Sequence, residues 1–386
     1  MCSSGHLPPS QSRRVPTLNK STDSLWENLS YIFFWGSLRG AFLIACPEKT
    51  GCRPLSHIKG MRKRTIRTEA SAQPPQIRTE ENIRPTSFDG FIGQEAAVKA
   101  LRVAMDACRS REGVLGHVLL YGPPGLGKTT LAGIIASYMG ARFITALGPS
   151  IEKPGDVAAI FNRAQEGDVI FIDEVHGMDK KAQETLYKIL EDFQLDIMIG
   201  KDDGQKKTVS LKLPHFTLVG ATTRQGLLLQ PLRDRFETIL RLEPYSQGEL
   251  CRIILDLQGR IDMPPVDVDA AMLIASCSRG TPRIAGRLTK KVRDYGQVQK
   301  ADRITKELAG RALALNGIWK DGLDMNDRKY LEQLLTGTKG LSTLADLIHE
   351  DPVTVEDGIE PYLLASGYVE KTKSGRRITD KGRDLF

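Results

Sequence analysis

The stretch "GPPGLGKTT", residues 122–130, decides the fold. It fits G-x-x-x-x-G-K-[ST], with Gly122, Gly127, Lys128 and Thr129 on the fixed positions. Such a loop needs glycine, because side chains would keep its backbone N–H groups away from phosphate oxygens. The apolar run "HVLLYG" (117–122) predicts a strand leading into it. A helix is expected from Lys128 to about Met139, ending at Gly140, with its positive end at the same oxygens. Lys128 is placed to reach β- and γ-phosphates, and Thr129 to ligate Mg²⁺. Strand, loop and helix in that order point to ATP binding on a parallel α/β sheet.

Further along, "DVIFIDE" (168–174) ends in two carboxylates. Asp173 is expected to hold the metal, directly or through water, and Glu174 to polarise the attacking water. Phosphoryl transfer is governed by positioning and charge neutralisation, so these groups suffice in kind. The runs "FTLVGATT" (216–223) and "ETILRLE" (237–243) predict two more buried strands. Thr222 and Thr223 then end a strand beside Asp173, where a hydroxyl orients water. Arg233 and Arg235 follow in "PLRDRFE". They read either as surface ion pairs or as a finger offered to a neighbour's γ-phosphate, a device worth about 10³–10⁵ in rate. His176 reads as structural or as a relay.

Outward from this centre, "GQEAAVKALRVAMDACRSR" predicts an amphipathic helix with Val98, Leu101, Met105 and Cys108 on its buried stripe. Strands stop after Tyr245, and a Ser246–Glu249 capping box opens a series of helices to about residue 315. The last part reads as helices followed by a hairpin, "YVEKT" and "RRITD" around a Ser-Gly turn, which suggests a winged helix. The expected division is an N-terminal extension (1–80), a large α/β ATPase subdomain (81–244), a small helical lid (245–318) and a winged-helix DNA-binding domain (319–386).

A chain of 386 residues with 40% hydrophobic content has room for several cores, and its net charge of +7 favours acidic partners. Much of that excess sits in 53–78, which reads as a solvated basic tail. The six cysteines are scattered, with no metal-ligand spacing, so reduced thiols in a cytoplasmic protein are expected. The apolar segment 29–46 is interrupted by Arg39 and two glycines, and no membrane anchor is expected there. "MRKRTIRTEASAQPP" from Met61 looks like an ordinary leader, so the native start is expected near Met61.

Taken together, "RPTSFDGFIGQ", "GHVLLYGPPGLGKTTLA", "VIFIDEVH", "LYKILEDFQLDIMIG", "LPHFTLVGATTR", "PLRDRFE", "RGTPRIAGRL" and "EDPVTVEDGIEPYLLASGYV" closely resemble the RuvB family of AAA+ motors, over essentially all of 84–386. The family drives Holliday-junction branch migration in bacteria. The resemblance implies a cytoplasmic homo-hexameric ring and duplex DNA at the arms of a four-way junction. It also implies a RuvA-like junction-binding partner, with a RuvC-like resolvase beyond it. By resemblance, Ile83 and Arg84 border the adenine. Gly125, Gly127, Lys128, Thr129 and Thr130 hold the phosphates, and Glu191, Asp192, Phe193 and Tyr245 lie near the nucleotide. Thr223 becomes the first sensor, Arg283 the second and Arg235 the trans-acting finger. A protruding hairpin (196–214) corresponds to the RuvA-docking element, and its tip here carries Lys201, Asp202, Asp203, Lys206 and Lys207.

The chain departs from the family in its wing, where "KTKSGR" (371–376) replaces an arginine-rich sequence. Lys371, Arg376 and Arg377 remain as candidate DNA contacts, with Ser374 in place of an arginine. A phosphate contact tolerates lysine for arginine better than a bidentate base contact does. Two other readings use the same nucleotide motifs: a clamp-loader-like or protein-remodelling ATPase, and a nucleotide-regulated winged-helix DNA-binding protein.

Overall fold

Arg84 begins the part of the chain that the computed structural model describes, which is residues 84–199 and 207–386, all within one compact unit, Pro74–Phe386. The start near Met61, the apolar segment 29–46, Ile83 and the hairpin-tip residues Lys201, Asp202, Asp203 and Lys206 lie outside the described residues.

Helix α1 (Glu95–Ser110) leads into β1 (Val118–Tyr121), the phosphate loop and α2 (Lys128–Met139). Then come β2 (Phe143–Leu147), α3 (Pro154–Phe161), β3 (Val169–Asp173), α4 (Lys180–Asp192) and the antiparallel pair β4 (Gln194–Ile199) and β5 (Lys207–Lys212). β6 (Thr217–Thr222), α5 (Gln230–Arg233) and β7 (Thr238–Arg241) complete this part. Five strands form one parallel sheet in the order β2-β3-β6-β1-β7.

The inner strands are buried on both faces, β6 along its whole length, because helices cover both sides. β2 is an edge strand whose residues alternate in exposure, and the sequence reading did not find it. "FITAL" was overlooked although four of its five residues are apolar. Leu101, Met105 and Cys108 of the α1 stripe are buried as expected, whereas Val98 is only half-buried and Ala97 takes its place.

The helices α6 (Gln247–Gln258), α7 (Val268–Ser276), α8 (Pro282–Val298) and α9 (Lys306–Leu315) make the lid. The Ser246–Glu249 capping box is formed in both directions. One apolar core runs from α1 and α2 into α6–α9, while a second lies on the opposite face of the sheet around α3 and α4. The winged helix has its own core. It consists of α10 (Met325–Leu335), α11 (Leu341–Ile348), the short α12 (Pro352–Thr354), a π-helical turn (Val355–Ile359), α13 (Glu360–Ala365), the hairpin β8 (Val369–Thr372) and β9 (Gly375–Ile378), and a last turn α14 (Asp380–Arg383). Lys339 bridges Arg376 on the open edge of β9.

Candidate active site

The phosphate loop joins the carboxyl end of β1 to α2, beside β6 and next but one to β3. Ligands bind at this end of a parallel sheet, where the strand order reverses. Gly127 has φ 100° and caps α2 in the left-handed region that only glycine enters freely, which leaves the first N–H groups of α2 facing the cleft. Gly125 has φ +80°, and a Cβ there would stand 2.7 Å from Thr281 Cγ2 and 3.0 Å from Arg283 Cβ. Loop and lid therefore meet at closest approach.

Lys128 is buried, and its Nζ donates to the carbonyls of Gly122 (2.8 Å) and Pro123 (3.0 Å). Burial lowers its pKa, against the pull of Glu174 and Asp173 and with the push of Arg283. A buried ammonium held only by loop carbonyls fits a polyanionic ligand, which would supply the countercharge. The cleft has a volume of about 1030 Å³ and is lined by Arg84, Gly125, Gly127, Lys128, Thr129 and Thr130 from the loop side, by Asp173 and Glu174, and by Tyr245 and Arg283 from the lid side. Tyr245 donates to Leu126 O, and burial pushes its hydroxyl up to about 12. Arg287, one helical turn beyond Arg283, also lines the cleft. The sequence reading missed it; i, i+4 spacing on α8 was the available signal.

Thr129 Oγ1 donates to Asp173 Oδ2 at 3.3 Å. Two hard oxygen ligands are thus side by side, the donor set that suits Mg²⁺. Glu174 follows at φ 48°, a left-handed conformation for a side-chain-bearing residue, and functional sites hold such strain. Its Oε2 accepts from the N–H (3.2 Å) and hydroxyl (3.1 Å) of Thr223, with His176 Nδ1 3.2 Å away. Thr222 has a different partner, pairing its hydroxyl with His176 Nδ1 at 2.9 Å. Thr222 is the last residue of β6 and Thr223 the first beyond it, and their side chains diverge there.

Arg235, Glu191 and Phe193 are elsewhere. They line a second cavity of about 410 Å³ together with Gly116, His117 and Phe216. These neighbours precede β1 and β6, so the cavity is at the amino ends of the strands, opposite the phosphate loop. The expectation that Glu191, Asp192 and Phe193 approach the nucleotide is not met within one subunit: none of them lines the cleft. The reason is α4, whose 13 residues run back from the Glu174 end and span about 20 Å. Arg235 pairs with Glu191, and its Nε is buried without a hydrogen-bond partner. Beneath it, burial brings the His117 pKa down to about 4. The neutral ring accepts from Leu218 N–H through Nδ1 and stacks on Phe216.

In the wing, Lys371 and Arg376 converge on one carboxylate. Glu360 is fully buried and accepts from Arg376 Nε (2.6 Å), Lys371 Nζ (3.0 Å) and Tyr330 Oη (3.0 Å). Burial alone would raise its pKa; the bonds from Arg376, Lys371 and Tyr330 prevail and lower it. Arg376 retains 15% side-chain exposure, whereas Arg377 retains 59% and pairs with Glu370. Glu360 escaped the sequence reading because it occupies an apolar position in the Val355, Ile359, Leu363 pattern, where a carboxylate is the exception.

Three family models cover the described chain. "Holliday junction DNA helicase RuvB P-loop domain" matches residues 83–242, "RuvB AAA lid domain" 245–318 and "RuvB C-terminal winged helix domain" 320–386. Among solved structures, the Thermotoga maritima RuvB Holliday junction branch migration motor and two of its point variants are each 44% identical, over 78% of this chain and 97% of theirs, with a TM-score of 0.69. A phosphate loop, a lid and a winged helix in this order, at this identity and over this length, establish that the chain belongs to the RuvB family.

Proposed function

We propose that the chain is an ATP-driven motor that moves duplex DNA through a ring and so migrates Holliday junctions. The observation that carries the reading is the division of the catalytic set between the two ends of the sheet. Lys128, Thr129, Asp173, Glu174 and Thr223 gather at the carboxyl ends. Arg235 lies at the amino ends, a strand length away; the six residues of β6 span about 20 Å. An arginine side chain cannot cover that distance, so Arg235 acts on a neighbour's nucleotide, and Glu191, Asp192 and Phe193 go with it. A closed ring of identical subunits, a hexamer by family likeness, satisfies every such head-to-tail interface.

In this reading Lys128 holds the phosphates, and Thr129 with Asp173 holds Mg²⁺, which when bound neutralises phosphate charge. Glu174 takes the proton of a water that Thr223 helps to orient. Arg283 lies on the lid side of the cleft, so a change in the nucleotide changes the angle between lid and sheet. The winged helix grips the duplex backbone through Arg377 and the Lys371–Arg376 edge, with steep salt dependence. A RuvA-like protein docks on the β4–β5 hairpin and presents the junction. The test is branch migration on a synthetic four-way junction, with and without that partner. ATP-dependent movement is the expected result; hydrolysis that leaves the junction unmoved with the partner present would overturn the reading.

A further inference from the structure

Contacts of unequal strength tie the winged helix to the ATPase, two of them through arginines. The first is buried and joins it to the lid. Arg279 at the lid's edge donates from Nε to Gly322 O (2.9 Å), pairs with Asp324 (3.4 Å) and with the buried Asp327, and stacks over the ring of Tyr362 at 4.7 Å. Tyr362 in turn donates to Asp321 O at 2.6 Å. These contacts join the lid to the winged helix. The second contact is exposed and reaches the large subdomain: Arg224 Nη2 meets Asp357 Oδ2 at 2.7 Å, with both side chains more than half exposed, at 57% and 55%.

Arg224 directly follows Thr223. Its own N–H donates to Thr222 Oγ1 at 3.0 Å, which locks it into the Thr222–His176–Glu174 network. At the other end, Asp357 sits in the π-helical turn, and such turns recur at functional sites. The preceding Glu356 pairs with Lys371 at 3.4 Å, so the same turn touches the wing. When the lid swings against the sheet, the buried contact carries the winged helix along and the exposed pair must part.

We infer that Arg224 and Asp357 are positioning residues that form a latch between the DNA-gripping domain and the hydrolytic carboxylate. In the closed latch, Arg224 holds Thr223 against Glu174, so that hydroxyl and carboxylate bond each other instead of sharing the attacking water. Load on the wing pulls Asp357 away and frees Glu174. The inference rests on reading Glu174 as the hydrolytic group and the wing as the DNA grip.

Steady-state ATP turnover of the full chain, with kcat and KM separated and with and without duplex DNA, tests it. Asp357→Lys is expected to raise DNA-free kcat about two- to fivefold, the range an exposed ion pair supports, with KM unchanged. DNA stimulation shrinks by the same factor. Combining Arg224→Asp with Asp357→Arg restores both values. A double variant no closer to the parent than either single change overturns the latch, as does unchanged kcat in Asp357→Lys. Both side chains are exposed, so the variants keep the fold. The DNA-free comparison needs no junction, so a chain that fails to migrate junctions would sink the functional reading and leave this result legible.

Discussion

Thr223 donates twice to one oxygen of Glu174, through its N–H and its hydroxyl, and thereby ties the end of β6 to the end of β3. The neighbouring Thr222 turns to His176 instead. Residue 223 therefore touches the carboxylate directly, and residue 222 reaches it through His176.

Glu174→Gln keeps the shape and most of the hydrogen bonds of this side chain but cannot accept a proton. Phosphate release is expected to slow by about 10²–10⁴-fold, the usual share of a positioned base. Nucleotide titration should give an affinity within a few-fold of the parent. A loss of affinity that accounts for the lost rate would contradict the assignment.

Arg235→Ala is expected to lower turnover by about 10³-fold or more while its own cleft still binds nucleotide. Lys128→Ala molecules have the opposite defect. Mixed rings contain interfaces where an intact Lys128 faces an intact Arg235, so turnover should recover above either variant alone. Phosphate release across a mixing series measures it, and a strictly flat series would exclude action in trans.

Gly125→Ala puts a methyl into a backbone at φ +80° and within 2.7 Å of Thr281. Loop and lid then cannot close to their present distance. Nucleotide affinity should fall at least tenfold, and the strained backbone should also destabilise the nucleotide-free protein by about 1 kcal/mol or more, as calorimetric titration and thermal melts will show.

The junction of lid and winged helix should be pH-sensitive in a definite direction. Burial pushes Asp327 up to about 6 from its ordinary 3.8, even with Arg279 and the Asp324 N–H favouring the ionised form. The folded chain thus binds this proton more tightly than the unfolded chain. Its contribution is fully present below pH 3.8 and is lost as pH rises through about 6. Relative to Asp327→Asn, the parent should therefore gain stability as pH falls across that window. Melts of both proteins from pH 4 to 7 provide the difference curve, and a flat curve would refute the claim.

Much of the candidate site was legible because its chemistry is local. A glycine loop between strand and helix, and two acids at a strand end, fix their roles through a few adjacent backbone angles. β1, β3 and β6 showed themselves as apolar runs because both faces are covered. β2 was overlooked, and β7, at the other edge, was found but is not buried as expected: its exposure alternates as that of β2 does, because an edge strand has a neighbour on one side only. Glu360 was invisible for a separate reason: its partners Tyr330, Lys371 and Arg376 come from three separate elements, and a carboxylate on an apolar stripe has no sign of its own.

The sequence by itself determined the nucleotide cradle, the α/β order and the closing hairpin, because each depends on neighbours along the chain. Only the tertiary structure decided that Arg235 with Glu191 faces away from its own phosphate loop, that Lys371 and Arg376 of the wing are gathered by a buried acid, and that Arg224 reaches Asp357. Those are consequences of where strands end and helices return, and pairings across 133 residues of separation are set by packing rather than by local preference.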